Sequence, residues 1–115
     1  MGGDAAAADP FAEAPELKFT VEKSPAGTVV NCFGRITFNT VDLLVEKVRP
    51  LIPEANRIVL DLTQVSFMDS SGLGTMVRLW VTAKNAGCEF KARNLSQRLK
   101  DLFTMTNLAS MFGEG

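Results

Sequence analysis

Apolar and polar residues alternate near the start of the chain in a pattern that predicts two paired strands. Leu17, Phe19 and Val21 alternate with polar residues, which is typical of a strand with one face in water. Residues 28–33 are almost continuously apolar, and the turn sequence Ser-Pro-Ala-Gly separates the two segments. The pattern therefore predicts a hairpin whose second strand lies closer to the centre of the sheet and ends at Gly34.

The rest of the chain alternates helix-like and strand-like segments, with Asn39 and Thr40 as candidate caps of the first helix. The predicted elements are a helix from Val41 that is stopped by Pro50, a strand at 57–62, a helix at about 72–86, a strand at 88–92 and a helix after Asn94 or Ser96. Strands separated by helices favour parallel pairing through right-handed crossovers. The order β-β-α-β-α-β-α predicts a single α/β domain with a mixed β-sheet covered by helices.

Composition limits the number of domains and the classes of partner. Residues 1–15 are rich in Ala, Gly, Asp and Pro, so we expect a disordered tail there and one domain at 16–115. The formal net charge is -1, so the chain lacks the excess positive charge that is typical of nucleic-acid-binding proteins. There is no apolar run long enough for a membrane span and no signal-peptide pattern, so we expect a cytoplasmic protein.

The scarcity of catalytic and metal-binding residue types argues against an enzyme. The chain has no histidine, which excludes Ser-His-Asp and Cys-His catalysis and removes the commonest zinc ligand. Cys32 and Cys88 each lie in an apolar, strand-like segment. We therefore expect two reduced core thiols rather than a disulfide, and no metal site.

The sequence Asp-Ser-Ser-Gly-Leu-Gly at 69–74 joins a predicted buried strand to the long helix. Helix N-termini present free backbone N–H groups and the positive end of the helix dipole. A phosphate on a serine at this position would therefore be stabilised in place. The alternative is that Asp69, Ser70 and Ser71 only cap the helix, which capping statistics favour.

Helical periodicity distinguishes the two serines. Steps of three, four and seven residues from Ser71 reach only non-apolar positions, namely Gly74, Thr75 and Arg78. The corresponding stripe from Ser70 contains Leu73, Val77 and Val81. We therefore expect Ser71 on the exposed side of the helix and Ser70 toward the interior. Glycine at positions 72 and 74 is expected to leave room for the close approach of a partner.

Residues 65–74 resemble the signature of the STAS domain family, specifically of its anti-sigma factor antagonists. The sequence there is Val-Ser-Phe-Met-Asp-Ser-Ser-Gly-Leu-Gly. Further segments resemble other parts of the family pattern, namely residues 58–62, 34–37, 94–96 and 102–108. The resemblance covers about residues 17–112, nearly the whole chain after the predicted tail.

The resemblance implies that Ser71, the second serine of the Asp-Ser-Ser-Gly motif, is phosphorylated by a cognate anti-sigma factor serine kinase. It implies that the unphosphorylated antagonist binds this kinase and frees a sigma factor, and that a metal-dependent serine phosphatase reverses the modification. ATP belongs to the kinase, so no cofactor is assigned to this chain. The predicted partner-binding residues are Thr37, Asp69, Ser70, Ser71, Gly72, Gly74, Thr75 and Arg78. Thr37 departs from the pattern, because such antagonists often carry Asp there.

Two alternatives stay open at the level of sequence. A STAS domain also occurs as a scaffold or accessory subunit of stress-signalling or transporter complexes, although the intact motif favours the antagonist. An enzyme with Asp69 or Ser71 as nucleophile is the other alternative. It lacks both a histidine to activate the serine and the Gly-x-x-x-x-Gly-Lys phosphate cradle. The sequence predicts no oligomeric state.

Overall fold

The computed structural model describes residues 17–112 as a four-stranded sheet with helices. The strands are β1 (Leu17–Ser24), β2 (Gly27–Ile36), β3 (Arg57–Met68) and β4 (Glu89–Arg93). The α-helices are α1 (Val41–Val48), α2 (Ser70–Asn85), α3 (Gln97–Met105) and α4 (Ala109–Phe112), and a 3-10 helix (Arg49–Glu54) follows α1. This order confirms the predicted β-β-α-β-α-β-α arrangement and adds two short helices. The predicted tail at 1–15 lies outside the described residues.

The sheet has the order β1-β2-β3-β4. β1 and β2 pair antiparallel across a tight turn, in which the Ser24 hydroxyl donates to the Gly27 carbonyl oxygen at 3.1 Å. β2 pairs with β3, and β3 with β4, in parallel. The predicted hairpin and parallel pairing are therefore confirmed.

The hydrophobic core lies between one face of the sheet and the helices. Alternate strand residues supply one side of it, among them Val30, Cys32, Ile58, Leu60, Leu62, Phe90 and Ala92. The helices supply the other side, with Leu44, Val48, Met76, Leu79, Ala83, Leu99, Phe103 and Phe112. Both Cys32 and Cys88 are buried and free, as predicted. In residues 17–112, no helix is long and apolar enough to cross a membrane.

Two strands are longer than their sequence pattern predicts. β2 continues past Gly34 to Ile36, and β3 continues past Leu62 to Met68. The pairing shifts register between Asn31 and Phe33, and again between Gly34 and Arg35, where Gly34 has a φ of +126°. This irregularity lets the ladder continue, because glycine tolerates a backbone conformation that other residues rarely adopt. The turn into α2 therefore begins only at Asp69.

A buried carboxylate on β3 holds the end of β4 and the segment that follows it. Asp61 accepts hydrogen bonds from the Thr63 hydroxyl at 2.6 Å, from Arg93 Nε at 2.9 Å and from Asn94 Nδ2 at 2.9 Å. Burial alone would raise the pKa of Asp61, but these hydrogen bonds, led by those from Thr63, outweigh it and lower the pKa to about 2. Asn94 is held with a φ of +60°, so the network fixes where the chain leaves β4 for α3.

Candidate functional site

The predicted motif lies where β2 and β3 end side by side. Ile36 and Met68, the last residues of the two strands, are paired. The next backbone N–H, that of Asp69, donates to the Ile36 carbonyl oxygen at 3.2 Å. From this point one chain segment turns into the loop before α1 and the other into α2. The structure therefore brings residues 37–40 and 69–74 together at one edge of the sheet.

Asp69 is the N-cap of α2 and also holds the neighbouring loop. Its Oδ1 accepts the Gly72 N–H at 2.9 Å, and its Oδ2 accepts the Phe38 N–H at 3.0 Å. The hydrogen bonds from Phe38 and then Gly72 are the main reason why the pKa of Asp69 lies below its usual value. The capping interpretation is thus confirmed for Asp69, which stays ionised at neutral pH and joins the two segments.

Gly72 allows α2 to begin directly against the strand ends. A Cβ atom at this position would lie 2.5 Å from the Ile36 carbonyl oxygen and 2.7 Å from Met68 Cγ. Gly72 is therefore buried and cannot offer an open surface to a partner, which corrects that expectation. Gly74 differs, because a Cβ there would meet only Arg78 Nη1, at 3.8 Å, and the residue is partly exposed.

The loop before α1 is held by the Thr40 hydroxyl. Thr40 Oγ1 accepts the Thr37 N–H at 2.8 Å and donates to the Arg35 carbonyl oxygen at 2.8 Å. The Thr37 hydroxyl accepts the Asn39 N–H at 3.2 Å. The hydrogen bond from the neighbouring Phe38 N–H to Asp69 places Thr37 near the start of α2. The Thr37 hydroxyl accepts its hydrogen bond within its own loop.

The predicted faces of α2 are wrong. Ser70 is exposed and Ser71 is half-buried. Thr75, on the stripe expected to be exposed, is 0% exposed, whereas Val81, on the stripe expected to be buried, is 44% exposed. The buried face is formed instead by Gly72, Leu73, Thr75, Met76, Leu79 and Ala83.

The error has a physical cause in residue size and hydrogen bonding. Gly72 and Ala83 face the core because small residues let the helix approach its neighbours closely. Thr75 can be buried because its hydroxyl accepts a hydrogen bond from Arg78 Nη2 at 3.0 Å. Thr75 therefore cannot contact a partner directly, while Arg78 remains exposed one turn farther along.

The start of α2 carries one carboxylate and two serine hydroxyls, those of Asp69, Ser70 and Ser71. Both carboxylate oxygens of Asp69 accept amide hydrogens, and the lowered pKa of Asp69 makes it a weak base. In the described part of the chain, no group of three Asp, Glu, Cys or His residues could hold a metal ion. The exposed Ser70 hydroxyl and the half-buried Ser71 hydroxyl both lie at the start of α2.

Sequence reasoning missed one feature of the site, the aromatic side chain of Phe38. It is 74% exposed although its backbone amide is fixed to Asp69. The sequence contained one signal for it. Phe38 is a single aromatic residue between the polar residues Thr37 and Asn39, where no core position is expected.

Comparison with known proteins identifies the class. A family model of the STAS domain matches residues 18–114. The chain therefore belongs to the STAS domain family, as the resemblance of residues 65–74 suggested. More particularly, it is 39% identical over 92 residues to an anti-sigma-B factor antagonist of Bacillus subtilis (strain 168), an alignment that covers 80% of this chain and 84% of that protein.

Solved structures agree with this placement. The anti-sigma factor antagonist SpoIIAA in its unphosphorylated form superposes with a TM-score of 0.71 at 21% identity, covering 85% of this chain and 88% of that one. An anti-sigma factor antagonist from Mycobacterium paratuberculosis gives a TM-score of 0.71 at 25% identity, covering 88% and 87%. The predicted mixed-sheet STAS fold is confirmed.

Proposed function

We propose that this protein is an anti-sigma factor antagonist whose binding is switched by phosphorylation of Ser71. In its unphosphorylated form it binds a kinase-fold anti-sigma factor and causes release of a sigma factor. Phosphorylation by that kinase ends the binding, and a serine phosphatase restores it. The observation that carries the proposal is the position of the Asp-Ser-Ser-Gly motif at the start of α2, where Ser70 is exposed and Ser71 is partly exposed.

The choice of Ser71 over Ser70 rests on the family motif and not on helical periodicity. Ser71 lies between Asp69, the N-cap, and Gly74. Because Gly74 has no side chain, the helix surface one turn after Ser71 stays open. The partner-binding residues proposed on this surface are Thr37, Asp69, Ser70, Ser71, Gly74 and Arg78. Gly72 and Thr75 are both buried, so they pack beneath this surface and are not part of it.

Local charge is the proposed means of switching. A phosphoserine adds about -1.5 to -2 charges at neutral pH. Asp69 already accepts amide hydrogens at the start of α2, so a phosphate on Ser71 competes with an existing anion there and directs its charge toward solvent. A partner surface that fits the neutral hydroxyl is then repelled and sterically blocked, with no refolding of the domain.

The proposal includes a cytoplasmic regulator without an enzymatic activity of its own. Its test is incubation of the purified protein with labelled ATP and candidate serine-kinase anti-sigma factors from the same genome, followed by mass-spectrometric mapping. Ser71→Ala should incorporate no phosphate and should bind the kinase constitutively. Ser71→Asp should bind poorly, because the carboxylate supplies part of the phosphate's charge. Ser70→Ala is the matched control and should still be phosphorylated.

Two outcomes would contradict the proposal. Label retained in Ser71→Ala and lost in Ser70→Ala would move the switch to Ser70. An absence of label in every variant, with a kinase that binds the wild-type protein, would show a binding module that does not use this serine. The scaffold alternative would then explain the domain better.

A further inference from the structure

Phe38 is a large apolar side chain that the fold holds in water. It is 74% exposed, more than the other exposed aromatic residues in the described chain, Phe33 at 38% and Phe67 at 40%. Exposing an aromatic ring of this size forgoes the favourable free energy of its burial. Single exposed apolar residues are common on protein surfaces, so the inference depends on the fixed backbone of Phe38 and on its position near Ser71.

The exposure does not come from a loose loop. The Phe38 N–H donates to Asp69 Oδ2 at 3.0 Å, and the residues on either side are also held. Thr37 N–H donates to Thr40 Oγ1 at 2.8 Å, and Asn39 N–H donates to Thr37 Oγ1 at 3.2 Å. Three successive amides therefore have acceptors, and the backbone that carries the ring is fixed before any partner arrives. Such preorganisation lowers the entropy cost of binding.

The backbone of Phe38 lies close to the proposed phosphorylation site. One hydrogen bond joins Phe38 to Asp69, and Asp69 precedes Ser71 by two residues, at most about 7 Å between Cα atoms. A kinase must bring its phosphoryl donor into contact with the Ser71 hydroxyl. A stable protein interface covers about 800 Å² on each partner, equivalent to a disc of about 16 Å radius. A footprint of that size centred on Ser71 covers Phe38.

We infer that Phe38 is the apolar anchor of the interface with the anti-sigma factor kinase. The inference rests on the proposed function and deepens it, because it specifies the complementary feature of the partner. That partner carries an apolar pocket beside its phosphoryl-transfer site, and the pocket receives the ring while Ser71 faces the nucleotide. Aromatic anchors in central, water-excluding pockets carry a large share of binding energy in protein interfaces.

The same arrangement links the anchor to the switch. The Asp69 hydrogen bonds hold Phe38 and the start of α2 in one rigid unit. A phosphate on Ser71 must stay hydrated, because burying an unpaired dianion is costly. The partner cannot then close over Ser71, and a pocket that cannot close over Ser71 cannot receive the adjacent ring. Phosphorylation thus removes the apolar contact as well as adding repulsion.

The test measures binding of the full chain to the purified serine-kinase anti-sigma factor, without ATP. Phe38→Ala should weaken binding at least about tenfold, mainly through faster dissociation. Alanine keeps the amide that Asp69 accepts, and the wild-type ring is mostly exposed, so the thermal unfolding midpoint should be unchanged. Phe38→Trp should keep most of the affinity. Val81→Ala is the control, since Val81 is 44% exposed and lies about 15 Å farther along α2 than Ser71, at the rim of such a footprint.

Salt dependence provides a second readout. The loss in Phe38→Ala should be about the same at low and high salt, because it removes an apolar contact and no charge. Equal affinities of Phe38→Ala and the wild type, or equal losses in Phe38→Ala and Val81→Ala, would overturn the inference while leaving the proposed function intact. Failure of the wild-type protein to bind any kinase-fold anti-sigma factor of its genome would instead overturn the proposed function.

Discussion

Replacement of Gly72 by alanine tests the close contact that positions the site. The added Cβ would lie 2.5 Å from the Ile36 carbonyl oxygen and 2.7 Å from Met68 Cγ. The Ile36 oxygen is a backbone atom that also accepts the Asp69 N–H at 3.2 Å. The strand ends cannot withdraw without breaking that hydrogen bond, so the first turn of α2 must move outward.

The magnitude follows from opposing contributions. Overpacking of a tightly filled site costs about 1–3 kcal/mol, and an outward shift also weakens the capping bond from the Gly72 N–H to Asp69, which contributes about 1 kcal/mol. The better helix propensity of alanine returns about 1 kcal/mol. We expect Gly72→Ala to lower the free energy of unfolding by about 1–3 kcal/mol. The same shift displaces Ser71, so its phosphorylation should also slow.

Gly74→Ala is the matched control two residues along the same helix. A Cβ at position 74 would lie 3.8 Å from Arg78 Nη1, which is an ordinary contact distance. This variant should therefore gain up to about 1 kcal/mol from helix propensity. Urea unfolding monitored by circular dichroism gives both values, provided the slopes of the two transitions agree. Equal stabilities of the two variants would refute the assignment of Gly72 to a close contact.

Three further predictions concern titration, thiol reactivity and the switch. Burial acts to raise the pKa of Asp61, but hydrogen bonds led by those of Thr63 lower it to about 2. The ionised carboxylate therefore stabilises the fold above pH 3.8, and this contribution is lost as the pH falls toward 2. Asp61→Asn should accordingly show a weaker loss of unfolding free energy over that interval. Burial, and then the charge of Asp61, raises the pKa of the Cys32 thiol to about 12, and burial raises that of Cys88. Neither thiol should react with iodoacetamide in the native protein at pH 8, and both should react in urea; fast native labelling would contradict their burial. Phosphorylation of Ser71 should leave the far-ultraviolet circular dichroism spectrum nearly unchanged, whereas a large loss of helix would exclude a switch by local charge.

Local sequence patterns were sufficient to predict most of the fold. The alternation at Leu17, Phe19 and Val21 predicted β1, and the turn before Gly27 predicted the hairpin. α2 ends at Asn85, close to the predicted end at about 86, and Gly87 follows it with a φ of +74°. Ser96 caps α3 by accepting the Leu99 N–H at 3.2 Å. These features depend on backbone periodicity and short-range hydrogen bonds, which a few neighbouring residues determine.

β2 and β3 both end later than their sequence pattern predicts, and long-range pairing is the reason. Residues 63–68 extend β3 because they pair with β2 across a register irregularity near Gly34. Nothing in the local pattern of either segment specifies that the partner strand continues to the same point. Strand length in a parallel pair is therefore a property of both strands.

The sequence by itself determined the element order, the class of fold and the motif that contains Ser71, because these depend on local periodicity and on an unbroken run of residues. Only the tertiary structure decided which side of α2 is buried. That orientation depends on the contact of Gly72 with the ends of β2 and β3, which also buries Thr75 and leaves Val81 exposed. It likewise decided that Asp69 holds Phe38 beside Ser71, since a hydrogen bond between residues 31 positions apart forms only when the two strand ends meet.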